Sequence, residues 1–208
     1  LDVARSDQKE ETRRRILAAA ARGFRRGGFG GIGVDGLAKE AGVTSGAFYV
    51  HFHSKADAFR ETAIASVAEI HEALKQLQTE QPGAWWEIFV RFYLGTKRMS
   101  DLSESCGMQS LASEVARSDD ASRAGFQAEL LRVAQVVVDG PSAPHAPRDL
   151  GASLVALASL VGAVTLARAV KDPQVAEQIA RSMEAQLLPA GPGVSSAEPA
   201  DQVRRRSR

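Results

Sequence analysis

Apolar residues recur at intervals of three and four along most of the chain, the spacing of one helix face. No convincing stretch keeps the alternation of a half-buried strand, and no internal repeat stands out. A first helix is expected from about Asp7 to Arg26, with Ile16, Leu17, Ala20 and Phe24 on one face. Gly27, Gly28, Gly30 and Gly31 end it. Short helices fit Val34 to Ala41 and Ser45 to His51. A long one starts near Lys55, its Phe59, Ala63, Val67, Ile70, Leu74 and Leu77 in phase. Further helices fit Gly83 to about Ser100, Gly107 to Arg117, Asp119 to Asp139 and Asp149 to Val170. The dipeptide Asp172-Pro173 opens a last helix carrying Val175, Ile179, Met183 and Leu187. None of the eight prolines falls inside a strongly periodic stretch, as helices require. The expectation is an all-α fold of about nine helices. From Pro189 onward the chain is rich in Gly, Pro, Ser and Arg and reads as a disordered tail.

Residues 34–52 read VDGLAKEAGVTSGAFYVHF. Two short helices here would cross near Ala38, where a large side chain would hold them apart. Gly42 supplies the positive φ that ends the first of them. Val43 and Phe48 then anchor the second to the core, giving a helix-turn-helix. Thr44 or Ser45 suits its N-cap. Thr44, Ser45, Gly46 and Ala47 would face a DNA major groove, and Gly46 would permit close approach. Ser54, with Asp57 completing a capping box, would start the next helix.

This segment resembles the TetR/AcrR family of bacterial repressors. The likeness runs from roughly Thr12 to Ala63. It comprises a first helix ending in Gly-Phe with Arg25-Arg26, then Phe29, then the string LAKEAGVTSGAFYVHFHSKADAF with Tyr49, Phe52 and Lys55 in Tyr-x-x-Phe-x-x-Lys. The resemblance implies that Thr44, Ser45 and Ala47 meet the groove and that Tyr49, His51 and Lys55 contact phosphates. Gly33 stands where the family often carries a hydroxyl residue that caps the second helix and touches a phosphate. Gly36 replaces a polar helix former. The recognition residues include no Arg, Asn or Gln for bidentate base reading, so affinity is expected from phosphates and DNA shape. The resemblance also implies a C-terminal ligand-binding and dimerisation domain. CGMQSLASEVARSDDASRAGF is similar to the helix 6–7 region of one subgroup, and LVGAVTLARAV to its helix 8. The expected division is a DNA-binding domain at 1–53, a ligand-binding and dimerisation domain at 54–188, and a tail at 189–208.

Charge follows this division. The net formal charge is +1, yet residues 1–60 hold 11 Lys+Arg against 7 Asp+Glu, whereas residues 61–188 hold 11 against 16. A basic head on an acidic body suits one anionic partner at one end only. The single Cys excludes an internal disulfide framework and a cysteine-based metal cluster. No secretory signal is evident in the first residues, so a cytoplasmic setting is expected.

In the body, an aromatic cluster suggests an effector pocket for a flat or apolar ligand: Trp85, Trp86, Phe89, Phe92, Tyr93, Cys106, Met108 and Phe126. Leu150 to Ala167 carries no charge and is long enough to span a membrane. Its interruptions by Gly and Ser, and the lack of a second span, favour a buried helix instead, with no membrane partner. Packed with the last helix and their copies, it would form a homodimer interface through Leu154, Leu157, Ala158, Val161, Gly162, Val175, Ile179 and Met183. A dimer would place two heads on a palindromic double-stranded operator.

Other signals are weaker. Gly31-Ile-Gly33-Val-Asp-Gly36 matches GxGxxG but follows a helix, without the strand a dinucleotide site needs. The four His residues make no metal spacing, and no nucleophile–base pair stands out. The reading is a non-enzymatic, dimeric, ligand-released repressor without cofactor or metal. The alternatives are a DNA-binding protein lacking an effector, or an electrophile or redox sensor acting through Cys106. The Arg204–Arg206 and Arg208 cluster could touch DNA non-specifically, though a solvated end is the plainer reading.

Overall fold

The structure is a computed structural model and describes residues 2–189. The Gly/Pro/Ser/Arg-rich tail beyond Pro189 lies outside the described residues. Nine α-helices and no strand occur among the described residues: α1 (Asp2–Gly27), α2 (Val34–Ala41), α3 (Ser45–His51), α4 (Lys55–Glu80), α5 (Trp85–Phe92), α6 (Gly107–Val115), α7 (Asp120–Asp139), α8 (Leu150–Ala169) and α9 (Pro173–Leu187). The all-α fold matches the periodicity.

Most helix starts follow from their caps. Thr44, Ser54, Asp119, Asp149 and Asp172 each precede a helix and accept a backbone N–H from its first turn. Two elements differ from expectation. Helix α1 begins at Asp2 rather than near Asp7. The added residues 2–6 include Val3 and Ala4 as their only apolar positions, too few to show a helical period. The helix expected from Gly83 to Ser100 begins at Trp85, after a turn, and changes to a π-helical segment at Tyr93–Lys97. A 3-10 turn at Leu102–Glu104 then leads to α6.

Two apolar clusters form the interior. The first joins α1, α2 and α3 to the start of α4 and to α6, through Ile16, Phe24, Leu37, Phe48, Phe59 and Leu111. The second fills the body between α4, α5, α7, α8 and α9, with Val67, Leu74, Trp85, Trp86, Val133 and Leu160. Helix α4 belongs to both, and Phe126 of α7 packs against both. A single 26-residue helix therefore runs from the head into the body. Helix α8 is long and apolar enough to cross a membrane, but Leu157, Leu160 and Val164 are buried against the body.

Helices α4 and α6 approach each other closely where α6 starts. A Cβ on Gly107 would lie 2.2 Å from Ser66 Cβ and 2.7 Å from its Oγ. Only hydrogen fits between α4 and α6 here. Gly107→Ala is expected to lower stability by about 1–3 kcal/mol, the usual cost of overpacking. A shift of the urea midpoint at unchanged slope would register it.

Candidate functional site

The turn between α2 and α3 is a Schellman closure. Gly42 has φ 67° and ψ 37°, and its N–H donates to Lys39 O. The Val43 N–H donates to Ala38 O at 2.9 Å. Ala38 is 1% exposed, which lets the helices approach. From α1, Arg15 Nη2 donates to Ala41 O at 2.6 Å and Gly42 O at 3.1 Å. The turn is thus fixed from within and from the helix behind it.

Helix α3 presents small residues outward. Thr44 Oγ1 accepts from Ala47 N at 3.1 Å. Ser45 Oγ donates to Asp35 Oδ1 at 2.5 Å, so its hydroxyl already has a partner on α2. Beyond Gly46 the space is open except for Thr44 Oγ1 at 3.8 Å. Phe48 is buried, whereas Tyr49 is 55% exposed and Val50 67% exposed. The Tyr49 ring packs edge-on against Phe48, with centroids 5.5 Å apart. Val50 was not among the expected contact residues, because an exposed Val carries no polar signal. Gly33 is the N-cap of α2 in extended backbone, and its carbonyl accepts from Leu37 N. Gly36 lies against Ile32, whose Cγ1 would be 2.9 Å from an added Cβ.

At the start of α4, Ser54 Oγ accepts from Asp57 N at 3.0 Å. The Asp57 carboxylate accepts from His53 N at 3.2 Å, one residue before the cap, rather than from Ser54 N as in a strict capping box. Lys55 Nζ lies 4.4 Å from the centroid of the Phe29 ring. That aromatic face holds the ammonium group beside a helix N-terminus, a combination suited to phosphate.

His51 is half-buried at the end of α3, its Nδ1 enclosed without a hydrogen-bond partner. Burial holds its pKa below 6.5, and nearby Lys9 and Arg13 lower it further, while Glu10 opposes them. The folded protein therefore binds this proton less readily than the unfolded chain does. Between the depressed pKa and 6.5, stability rises with pH, and the penalty of charging His51 persists below that window. An NMR titration of the free protein should give His51 a midpoint below 6.5, with His51→Gln flattening the acid slope of stability.

The body contains a cavity of about 440 Å³ between α4, α5, the π-helical segment and the start of α6. Of the expected pocket residues, Phe89, Phe92, Tyr93 and Cys106 line it. Trp85, Trp86 and Met108 lie in the core beside it, 0–3% exposed. Phe126 lines a separate groove with Ala112 and Arg123. Ile70, Ala73, Leu77 and Ile88 supply apolar wall that aromatic content alone did not indicate. Arg25, Ser66, Glu69 and Lys97 supply polar wall. Cys106 is the buried N-cap of α6. Tyr93 is 3% exposed, and burial raises its hydroxyl pKa well above 10, with Cys106 adding to the effect.

Helices α8 and α9 pack on each other and leave an outer face. Val155 is 67% exposed, Leu166 60% and Val175 44%, with Ala158 exposed between them. Leu154, Val161, Gly162, Ile179 and Met183 are half-buried along its edges, and Leu157 points into the core. Val155 and Leu166 are the apolar residues of this face that the sequence did not single out.

The described residues form a helix-turn-helix head carried by a larger all-helical body. Residues 16–62 match the family of bacterial regulatory proteins named tetR. The chain is similar to the HTH-type transcriptional regulator AcrR of Shigella flexneri, at 40% identity over 83 residues. That match spans 39% of this chain and 39% of the relative, so the chain covers under half of that protein's length. Across nearly the whole body the likeness is one of fold. The reduced form of Escherichia coli NemR superposes with a TM-score of 0.68 at 21% identity, covering 88% of this chain and 99% of that one. A TetR-family regulator from Agrobacterium tumefaciens gives 0.65 at 18%, covering 86% and 98%. Residues 16–62 thus carry the tetR-family segment, and the rest of the chain shares the all-helical fold of these neighbours.

Proposed function

We propose that the protein is a dimeric, sequence-specific DNA-binding regulator that represses from a palindromic operator and is released by a small, largely apolar or aromatic effector. One observation carries the DNA reading: the rigid turn offers the small outer residues of α3, flanked by Tyr49, His51 and Lys55. Residues 1–53 act as the head in this reading, and 54–188 bind the effector and dimerise. The exposed apolar residues Val155 and Leu166 of α8 and Val175 of α9 support a two-fold interface, and two heads on one frame read two half-sites. The setting is the cytoplasm.

The effector acts only if it binds the released and DNA-bound arrangements with different affinity. Helix α4 suits that coupling, because it lines the cavity and carries Lys55 at its other end. Selection of bound DNA from a random library tests the reading, and a palindromic consensus is the expected result. A thermal-shift screen separates it from a regulator without an effector, which no small molecule would stabilise. The place of Cys106 in the cavity wall supports a second reading, a thiol that senses electrophiles. Mass spectrometry after mild peroxide or quinone treatment tests it, and an unmodified Cys106 would end it.

A further inference from the structure

The cavity wall is mostly apolar but includes charged residues. Ile70, Ala73, Leu77, Ile88, Phe89 and Phe92 form the apolar part. The same wall carries two cations, Arg25 and Lys97, against one carboxylate, Glu69, with Lys97 Nζ 6.0 Å from the centre of the Phe92 ring. Lys97 Nζ donates to Glu104 O at 2.9 Å. Arg25 Nη2 donates to Ser66 Oγ at 3.0 Å and to Glu69 Oε2 at 3.1 Å. The Arg25 side chain is only 11% exposed, whereas that of Glu69 is 67% exposed.

Two buried polar groups in this wall lack nitrogen or oxygen partners. Arg25 Nε makes no hydrogen bond, and the Tyr93 hydroxyl, on a residue 3% exposed, has no nitrogen or oxygen partner, only the Cys106 thiol beside it. Buried polar groups are ordinarily paired, so two such groups in the wall of one cavity point to a ligand group that completes them. The π-helical segment contributes to the arrangement. Tyr93 and Lys97 are its first and last residues, and both reach the cavity. Such segments recur at functional sites.

Resting on the effector reading above, we infer that the effector is an apolar acid: a hydrocarbon or aryl body with one anionic group, seated on Arg25 and the Tyr93 hydroxyl. A carboxylate accepts two parallel N–H bonds from a guanidinium and displaces the weaker contact with exposed Glu69. The cavity, at about 440 Å³, lies within the ordinary range for small-ligand sites.

The identity of Arg25 gives this contact its regulatory meaning. It belongs to α1, a helix of the DNA-binding head, rather than to the body. Ten residues earlier on the same helix, Arg15 holds the carbonyls of the turn between α2 and α3. An anion that recruits Arg25 into the cavity pulls on the helix that fixes the recognition turn. The effector thus touches the head directly, in addition to any movement of α4.

Matched acids and alcohols test the inference: n-decanoic acid with decan-1-ol, and 6-phenylhexanoic acid with 6-phenylhexan-1-ol. Calorimetric titration of the full chain should show at least one acid binding tenfold or more tighter than its alcohol. Arg25→Met should abolish that preference. Glu69→Gln, an exposed change that spares the fold, should tighten acid binding several-fold by removing the competitor. Equal binding of acid and alcohol, binding of neither, or an acid preference that survives Arg25→Met would each overturn the inference. Operator selection without ligand keeps the two failures apart. A palindrome with no acid preference sinks only the acid effector; absence of any selected sequence sinks the regulator reading itself.

Discussion

Replacing Trp85 by Ala is expected to lower the unfolding free energy by about 3–5 kcal/mol, the range for deleting a large buried aromatic. The Trp85 side chain is fully enclosed, its ring stacks edge-on with Trp86, and its Nε1 donates to Pro141 O at 3.0 Å. The substitution would leave a cavity, break the aromatic pair and free the Pro141 carbonyl from its tie to α5. Two turns along, Phe92 is 46% exposed at the cavity wall. Phe92→Ala should change stability by less than about 1 kcal/mol and show its effect in ligand affinity. Urea unfolding of the two variants checks the distinction. A Trp85→Ala variant within about 1 kcal/mol of the parent would contradict the placement of this ring in the core.

The contrast between these aromatics marks where sequence reasoning stops. Apolar spacing places Trp85, Phe89 and Phe92 on helices, but it does not distinguish core from cavity wall. That distinction depends on what packs opposite, and Arg25, which completes the wall, lies 41 residues from Ser66 and 44 from Glu69 along the chain. The π-helical segment was equally hidden, because one inserted residue shifts the register without altering composition. Helix α8 shows a related limit. With no charge from Leu150 to Ala167, its pattern has no polar side, so periodicity could not choose which face is outward. Leu157 was placed on the interface and points inward, whereas Val155 and Leu166 stand exposed. By contrast, α2 and α3 were legible to the residue. Gly42 fixes one boundary through its left-handed backbone and Thr44 fixes the other through its cap. Their signals are local, so no distant contact is needed to decide them.

Removing the exposed groups beside that turn should have the largest effect on DNA binding. Lys55→Ala is expected to weaken operator binding about tenfold near 0.1 M salt and to flatten the plot of log affinity against log salt. Each phosphate contact contributes about 0.9 to that slope, so a symmetric dimer losing two should lose nearly 2. Tyr49→Ala is expected to weaken binding by a similar factor, and Tyr49→Phe separates hydroxyl from ring. The ring packs edge-on against Phe48 and is retained in Phe, so loss of affinity in both variants assigns the contact to the hydroxyl. Lys55 acts from a defined place: its ammonium rests on the Phe29 ring, and Phe29 in turn packs edge-on against Phe59 of α4. Phe29→Leu should therefore weaken operator binding without removing any charge, and leave the salt slope closer to the parent value than Lys55→Ala does. Parental affinity in both Tyr49→Ala and Lys55→Ala would show that this face does not meet DNA. A loss in Lys55→Ala with an unchanged slope would mean that the residue holds the head in shape rather than neutralising a phosphate.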